Sequence, residues 1–220
     1  MELGVLFSGG KDSTYAAYLA RKEGHEISCL ISVFSKNKDS FMFHTPAIRL
    51  TEKQAKCMDI PLIVQETPGE KEYELEDLKR AIKKAIKKFN INGIVTGAVE
   101  SVYQASRIQK ICNDFGIECF NPLWQKDQIE LLQDLLKNRF KVVISAVAAY
   151  PLDKNWIGRP ISEKFIECVE ELAKKYNINP AGEGGEFESL VVDCPLFKKR
   201  LDFEIVDVFG KDNSWKGSFV

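Results

Sequence analysis

An α/β fold is expected of this chain: a Rossmann-like, doubly wound and mainly parallel sheet over residues 1–150, followed by a small α+β appendage over residues 151–220. Apolar, β-branched runs at residues 3–7, 27–34, 93–96 and 142–147 alternate with helical patterns, as strands do when crossover helices cover both faces of a sheet. The first run ends in a glycine-rich turn that leads straight into a helix, the usual place for a ligand in such sheets. The last seventy residues change character, to one helix and several short strands divided by turn residues.

The turn after the first run reads Ser8-Gly9-Gly10-Lys11-Asp12-Ser13. Two glycines let the backbone approach an anion closely. A following helix, opened by Asp12 or Ser13 as its cap, aims free N–H groups and the positive end of its dipole at that anion. Lys11 adds a full charge. The turn is not a Walker A loop, because Val5 stands where that pattern needs its first glycine and Asp12, not a hydroxyl residue, follows Lys11.

A long helix is expected over residues 73–89, where Leu75, Leu78, Ile82, Ile86 and Phe89 recur at steps of three and four. Acids at its start and Lys83, Lys84, Lys87 and Lys88 at its end match the helix dipole, and the lysines read as a solvated face. Gly97 directly follows the third strand, at the edge where a missing side chain would admit a purine or ribose; a simple strand-ending turn is the alternative. Gln104 and Arg107 stand three apart on one helix face, suited to phosphate or a carboxylate, although surface helices often carry such pairs. His44 lies in a loop before Thr45-Pro46, where ligand contact and an ordinary loop histidine both fit. His25 follows Gly24 at a helix end, and Trp124, followed by polar residues, is expected in the core, with a substrate lid as the alternative.

Near the C-terminal end, a helix over residues 162–176 precedes Gly182-Glu183-Gly184-Gly185-Glu186-Phe187-Glu188-Ser189, which packs three carboxylates and three glycines into eight residues. Neighbouring acids repel, and glycine costs backbone entropy, so an exposed acidic turn competes here with a functional cluster of carboxylates. Strands follow near residues 190–193, 203–208 and 214–220.

Composition bounds the function. A formal net charge of -1 argues against a globally basic nucleic-acid binder, and RNA is therefore an unlikely partner. Six scattered cysteines with no C-x-x-C pair and no signal-peptide pattern indicate reduced thiols in the cytoplasm. No apolar run approaches the length of a membrane span.

Two motifs carry a resemblance. The turn Ser8 to Ser13 resembles the PP-loop, the pyrophosphate-binding signature of the N-type ATP pyrophosphatases and adenine nucleotide alpha hydrolase-like folds. The stretch GEGGEFESLVVDCPLF, beginning at Gly182, is similar to the signature of the diphthine-ammonia ligase family within that superfamily. Further blocks continue it: His44-Thr45-Pro46 with Ile48-Arg49-Leu50 and Gln54-Ala55, Gly97-Ala98-Val99 with Ser101-Val102-Tyr103-Gln104 and Arg107-Ile108, and Pro122 through Gln128.

The resemblance implies an ATP-dependent ligase that amidates diphthine on elongation factor 2 with ammonium, through an acyl-adenylate, releasing AMP and pyrophosphate. It implies ATP and Mg2+ as cofactors, with Ser8, Gly9, Gly10, Lys11, Asp12, Ser13, His44, Gly97, Gln104 and Arg107 around the nucleotide and Asp12 on the metal. Lys11, Glu183, Glu186 and Glu188 are the expected catalytic residues, the glutamates holding ammonium or taking its proton. Two alternatives share the first motif. One is a PP-loop enzyme that modifies RNA, which would want a reactive cysteine pair and a basic surface; the other is a non-enzymatic AMP- or ATP-binding module.

Overall fold

A computed structural model describes residues 1–35, 50–68 and 71–220, the last stretch with side chains from residue 74 onward. His44 and residues 45–49 of its block lie outside the described residues.

Five parallel strands form the first sheet: β1 (Glu2–Leu6), β2 (Glu26–Ser35), β3 (Leu62–Thr67), β4 (Gly93–Val95) and β5 (Glu118–Phe120), in the order β3-β2-β1-β4-β5. Successive side chains leave a strand on opposite faces, so one apolar run feeds two cores. Leu3, Val5 and Leu30 join a core under α1 (Lys11–Lys22) and α2 (Thr51–Met58), which contribute Ala16, Ala17, Ala20, Ala55 and Met58. Cys29, Ile31 and Ile94 join a second core under α3 (Lys71–Phe89) and α4 (Val102–Phe115). In α3 the expected face is the buried one, with Leu78 and Ile82 fully enclosed, while Lys83, Lys84, Lys87 and Lys88 are exposed. The strand order reverses between β1 and β4. That is the switch point at whose carboxyl edge doubly wound sheets open a crevice, and the turn at Ser8 and the glycine at Gly97 both sit there.

The second sheet is antiparallel, in the order β7-β6-β9-β8, built from β6 (Lys141–Val147), β7 (Phe187–Asp193), β8 (Ile205–Lys211) and β9 (Ser214–Phe219). The run at 142–147, expected as a parallel strand of the first sheet, is β6 at the centre of this one. An apolar run buried on both faces reads the same in either kind of sheet, and periodicity does not separate them. Helices α5 (Gln128–Lys137) and α6 (Glu163–Tyr176) precede β6 and β7. Ser162 caps α6, its hydroxyl accepting from Phe165 N–H at 3.3 Å. Phe165 then packs edge-on against Trp156 and Phe187, contacts worth about 0.5–1.5 kcal/mol each beyond their burial. Val142, Val147, Phe165 and Phe187 belong to the same core as Leu3 and Val5, so the two sheets share their apolar interior.

Candidate active site

The phosphate turn is shaped by its own short side chains. Gly9 has φ +80, and a Cβ there would stand 2.2 Å from the Oε1 of Gln54, so both conformation and space require glycine. Helix α1 starts at Lys11 with Gly10 as its N-cap and no side-chain cap, which corrects the expectation that Asp12 or Ser13 opens it. Ser13 turns back instead. Its Oγ accepts from Ser8 N–H at 3.2 Å and lies 3.1 Å from Ser8 Oγ, while Lys11 N–H donates to Ser189 Oγ at 3.1 Å. Three hydroxyls, those of Ser8, Ser13 and Ser189, thus gather at the N–H groups that a phosphate would use.

Gly97 meets this turn from β4. A Cβ on it would stand 2.7 Å from the backbone carbon of Asp12 and the nitrogen of Ser13. The space above Gly97 is therefore filled by the first turn of α1 rather than kept for a purine or ribose, and the glycine sets how closely α1 approaches the sheet edge.

Lys11 is buried, with Nζ 2.8 Å from both carboxylate oxygens of Asp12 and 3.4 Å from Glu183 Oε1. Burial works against the ammonium, but the two carboxylates more than offset it and hold its pKa above the ordinary lysine value. Glu183 fares differently. Burial pushes its carboxyl up to about 7, Lys11 opposing and Asp12 adding to the rise.

The three glutamates of the acidic stretch have separate surroundings. Glu186 is buried and fully engaged: Oε1 accepts from Asn179 N–H at 2.8 Å and its Nδ2 at 3.0 Å, and Oε2 accepts from Gly184 N–H at 2.9 Å. Its carboxylate holds the loop together. Glu188 lies on β7 opposite Ala146, whose neighbour across the sheet is Lys216. Its Oε2 is buried and has no partner among the described residues, and burial pushes its pKa up to about 8 against the pull of Lys216. Ser145, skipped in the register where β6 bulges opposite Glu188 and Ser189, is also fully buried, its hydroxyl without a partner among the described residues. Ser145 and Gln54 are not among the site residues expected from sequence; the signal for Ser145 is a polar residue inside an apolar run, whereas that for Gln54 is its full burial on α2, which only the structure reveals.

Other expected site residues stand apart. Arg107 lays its guanidinium 3.3 Å from the centre of the Tyr103 ring and donates to the Tyr103 carbonyl at 3.2 Å, so its own helix holds it. Gln104 N–H donates to the capping Ser101 hydroxyl at 3.3 Å. Among the described residues no hydrogen bond or ion pair links either side chain to the Lys11 cluster. Trp124 is 36% exposed rather than in the core, and His25 packs edge-on against Phe120. Cys112 and Cys119, far from a C-x-x-C spacing, meet between α4 and β5, where the hydrogen bond that the Cys112 thiol donates to Cys119, together with burial, raises the Cys112 pKa. Among the described residues no group of three or more His, Cys, Asp or Glu is placed to hold a metal, and no helix is long and apolar enough to cross a membrane.

With this geometry in hand, comparison with known proteins is decisive. The model of the diphthamide synthase N-terminal domain matches residues 1–119, and that of the diphthamide synthase C-terminal domain matches residues 127–219. The chain belongs to the diphthamide synthase family. Named diphthine–ammonia ligases are among its relatives. That of Schizosaccharomyces pombe is 34% identical over 92% of this chain and 36% of its own length, and that of Bos taurus is 33% identical over 91% of this chain and 82% of its own. The chain thus spans about a third of the yeast relative and most of the mammalian one. A Methanocaldococcus jannaschii structure described as a "predicted subunit of tRNA methyltransferase" aligns over 91% of this chain at 19% identity, with a TM-score of 0.45. The two matches part between residues 119 and 127 of this chain, and the second contains β6 together with β7, β8 and β9.

Proposed function

We propose that this diphthamide synthase family member is an ATP-dependent amide-forming ligase of the cytoplasm, acting on the carboxylate of diphthine on elongation factor 2, with ammonium as nitrogen source and AMP and pyrophosphate as products. The observation that carries this reading is the 3.4 Å contact between Lys11 and Glu183, which joins a phosphate turn to a carboxylate-bearing stretch 172 residues away. A phosphate site alone would suit many enzymes; a phosphate site abutting a carboxylate of raised pKa, that of Glu183, suits activation of an acid followed by attack of an amine.

The chemistry follows from what a carboxylate lacks. It is a poor acyl donor, so its oxygen would attack the α-phosphorus of ATP, the α–β bond would break, and pyrophosphate would leave from an acyl-adenylate. Ammonia would then form the C–N bond while AMP departs with the C–O electron pair. On this reading the N–H groups and hydroxyls around Ser8, Gly9, Gly10 and Ser13 hold the leaving pyrophosphate, and Lys11 neutralises the charge that grows on it. Asp12 and Glu183 offer carboxylate oxygen beside that position. One or two carboxylates completed by phosphate oxygens and water make a donor set that fits Mg2+, which when bound would neutralise phosphate charge.

The proton of ammonium needs an acceptor, and the glutamates are not equivalent candidates. Glu186 already accepts three hydrogen bonds. Glu188 has a buried oxygen without a partner among the described residues, and with its pKa pushed up to about 8 the ionised form is a stronger base than an ordinary carboxylate and is best populated at mildly alkaline pH. We assign the proton to Glu188 and the organisation of the loop to Glu186. Gln104, Arg107, Gly97 and His44 remain assigned to the surroundings of nucleotide or substrate, Gly97 through the backbone of the turn it supports.

Incubation of the protein with labelled ATP, ammonium and diphthine-bearing elongation factor tests the proposal. AMP, pyrophosphate and a factor carrying the new amide are expected. ADP and phosphate in stoichiometric yield, or transfer to RNA in place of the factor, would reject it.

A further inference from the structure

Helix α2 is mostly polar on its surface, yet Gln54 points inward and is fully buried. Burying a primary amide costs more than burying a methionine of the same length, so its partners are informative. Nε2 donates to Gly9 O at 2.9 Å and to Val191 O at 2.7 Å, and Val191 N–H donates to the same Gly9 carbonyl at 3.0 Å. Two residues on in the turn and two back in the strand, Lys11 N–H donates to Ser189 Oγ. Turn and strand are tied at two points, Gly9 to Val191 and Lys11 to Ser189, with Gln54 bracing the first. Both amide hydrogens are engaged, while Oε1 is buried without a partner among the described residues and faces Gly9.

We propose that Gln54 is a positioning residue that locks the phosphate turn to β7, so that occupation of the turn is transmitted to the strand bearing Glu188. The inference rests on the placement of ATP at the turn given above. A ligand that draws on the backbone at Gly9 and Lys11 must then shift Val191 and Ser189, and Glu188 is the residue next to Ser189. Adenylation and the preparation of the proton acceptor become one mechanical event.

The test is hydrogen exchange read by mass spectrometry with Mg2+ and α,β-methylene ATP, which cannot be cleaved at the reacting bond. In the natural chain the analogue should slow exchange at residues 8–14 and also at 187–193. In Gln54→Met the slowing at 8–14 should persist, while that at 187–193 falls about tenfold, the factor that one net hydrogen bond supplies. Equal slowing at 187–193 in both proteins overturns the proposal. Slowing confined to 8–14 in the natural chain overturns the interlock alone, whereas no slowing at 8–14 removes the placement of ATP and the interlock with it. If Gln54→Met does not fold, Gln54→Glu keeps the shape and regains one donor when protonated. Transmission to 187–193 must then be stronger at low pH than at high pH, and a flat response would overturn the proposal.

Discussion

The turn after β1 and the stretch before β7 are built from similar materials, glycines and short polar or acidic residues, and they meet at Lys11. Their polar groups are treated in opposite ways. In the turn, N–H groups at Ser8, Gly10 and Lys11 find hydroxyl partners within the protein. In the acidic stretch one carboxylate is saturated, a second leans on Lys11, and a third keeps an oxygen buried and unpartnered. Buried polar atoms are ordinarily paired, so the exception marks where the protein forgoes stability. On the function proposed above, the turn is a finished cradle, because phosphate binding needs donors held in place beforehand. On the same proposal, the stretch is unfinished at Glu188, because proton transfer needs a group with spare capacity.

Substitution within the stretch breaks this contrast most severely. Glu188→Gln should leave the fold intact and slow amide formation by about 10²–10⁴, the range for loss of a general acid or base. Glu186→Gln should do the reverse. Its new NH₂ would face N–H groups of Asn179 or Gly184, costing about 1–3 kcal/mol of stability for donors left without an acceptor, with amidation per folded molecule less affected. Chemical denaturation beside mass spectrometry of the amidated factor supplies both quantities. If the two variants lose stability and activity in the same proportion, the division of labour between the glutamates is wrong.

The turn answers to a smaller change. Lys11→Ala should slow adenylation by about 10²–10³, the usual loss on removing one preorganised stabiliser of developing charge. A single-turnover rate equal to that of the natural chain would clear Lys11 of that role.

The contrast between turn and stretch also explains what could be read from the sequence. Most of what is local was legible: the turn at Ser8 to Ser13, though not the Gly10 cap of α1, the face of α3 and the acidic stretch all rest on neighbours a few residues apart. Strands β3 and β5 gave weak signals, since β3 carries Gln65 and Glu66 within an edge strand and β5 is three residues long. The run that became β6 was visible as a strand, but its sheet was not, because direction is set by partners far along the chain. The same holds in the site. Glu183, Glu186 and Glu188 look alike as letters. Only tertiary contact separates them, since Lys11 reaches Glu183 across 172 positions while Asn179 and Gly184 claim Glu186. Gln54 bonds across 45 and 137 positions, and no short window contains its purpose.

The mildest effect is one of pH, and its sign follows from the direction of the shifts. Glu183 and Glu188 sit at about 7 and about 8 in the folded protein, above the ordinary 4.5. Between those limits the folded chain binds more protons at these two positions than the unfolded chain does. Their contribution to stability is therefore greatest below about pH 4.5 and declines as pH rises through about 7 and 8. Lys11, raised above 10.5, keeps its contribution throughout this window and loses it only at higher pH. Glu188→Gln mimics the protonated acid, so its melting temperature should match that of the natural chain in mildly acidic buffer and exceed it in mildly alkaline buffer. The variant would be more stable where it is less active, as expected if the unpartnered oxygen of Glu188 is kept for chemistry at the expense of stability. Thermal melts of both proteins across this range decide the matter: a difference that does not change with pH would mean that burial does not raise the Glu188 pKa, and would remove the raised basicity for which it is chosen as the proton acceptor.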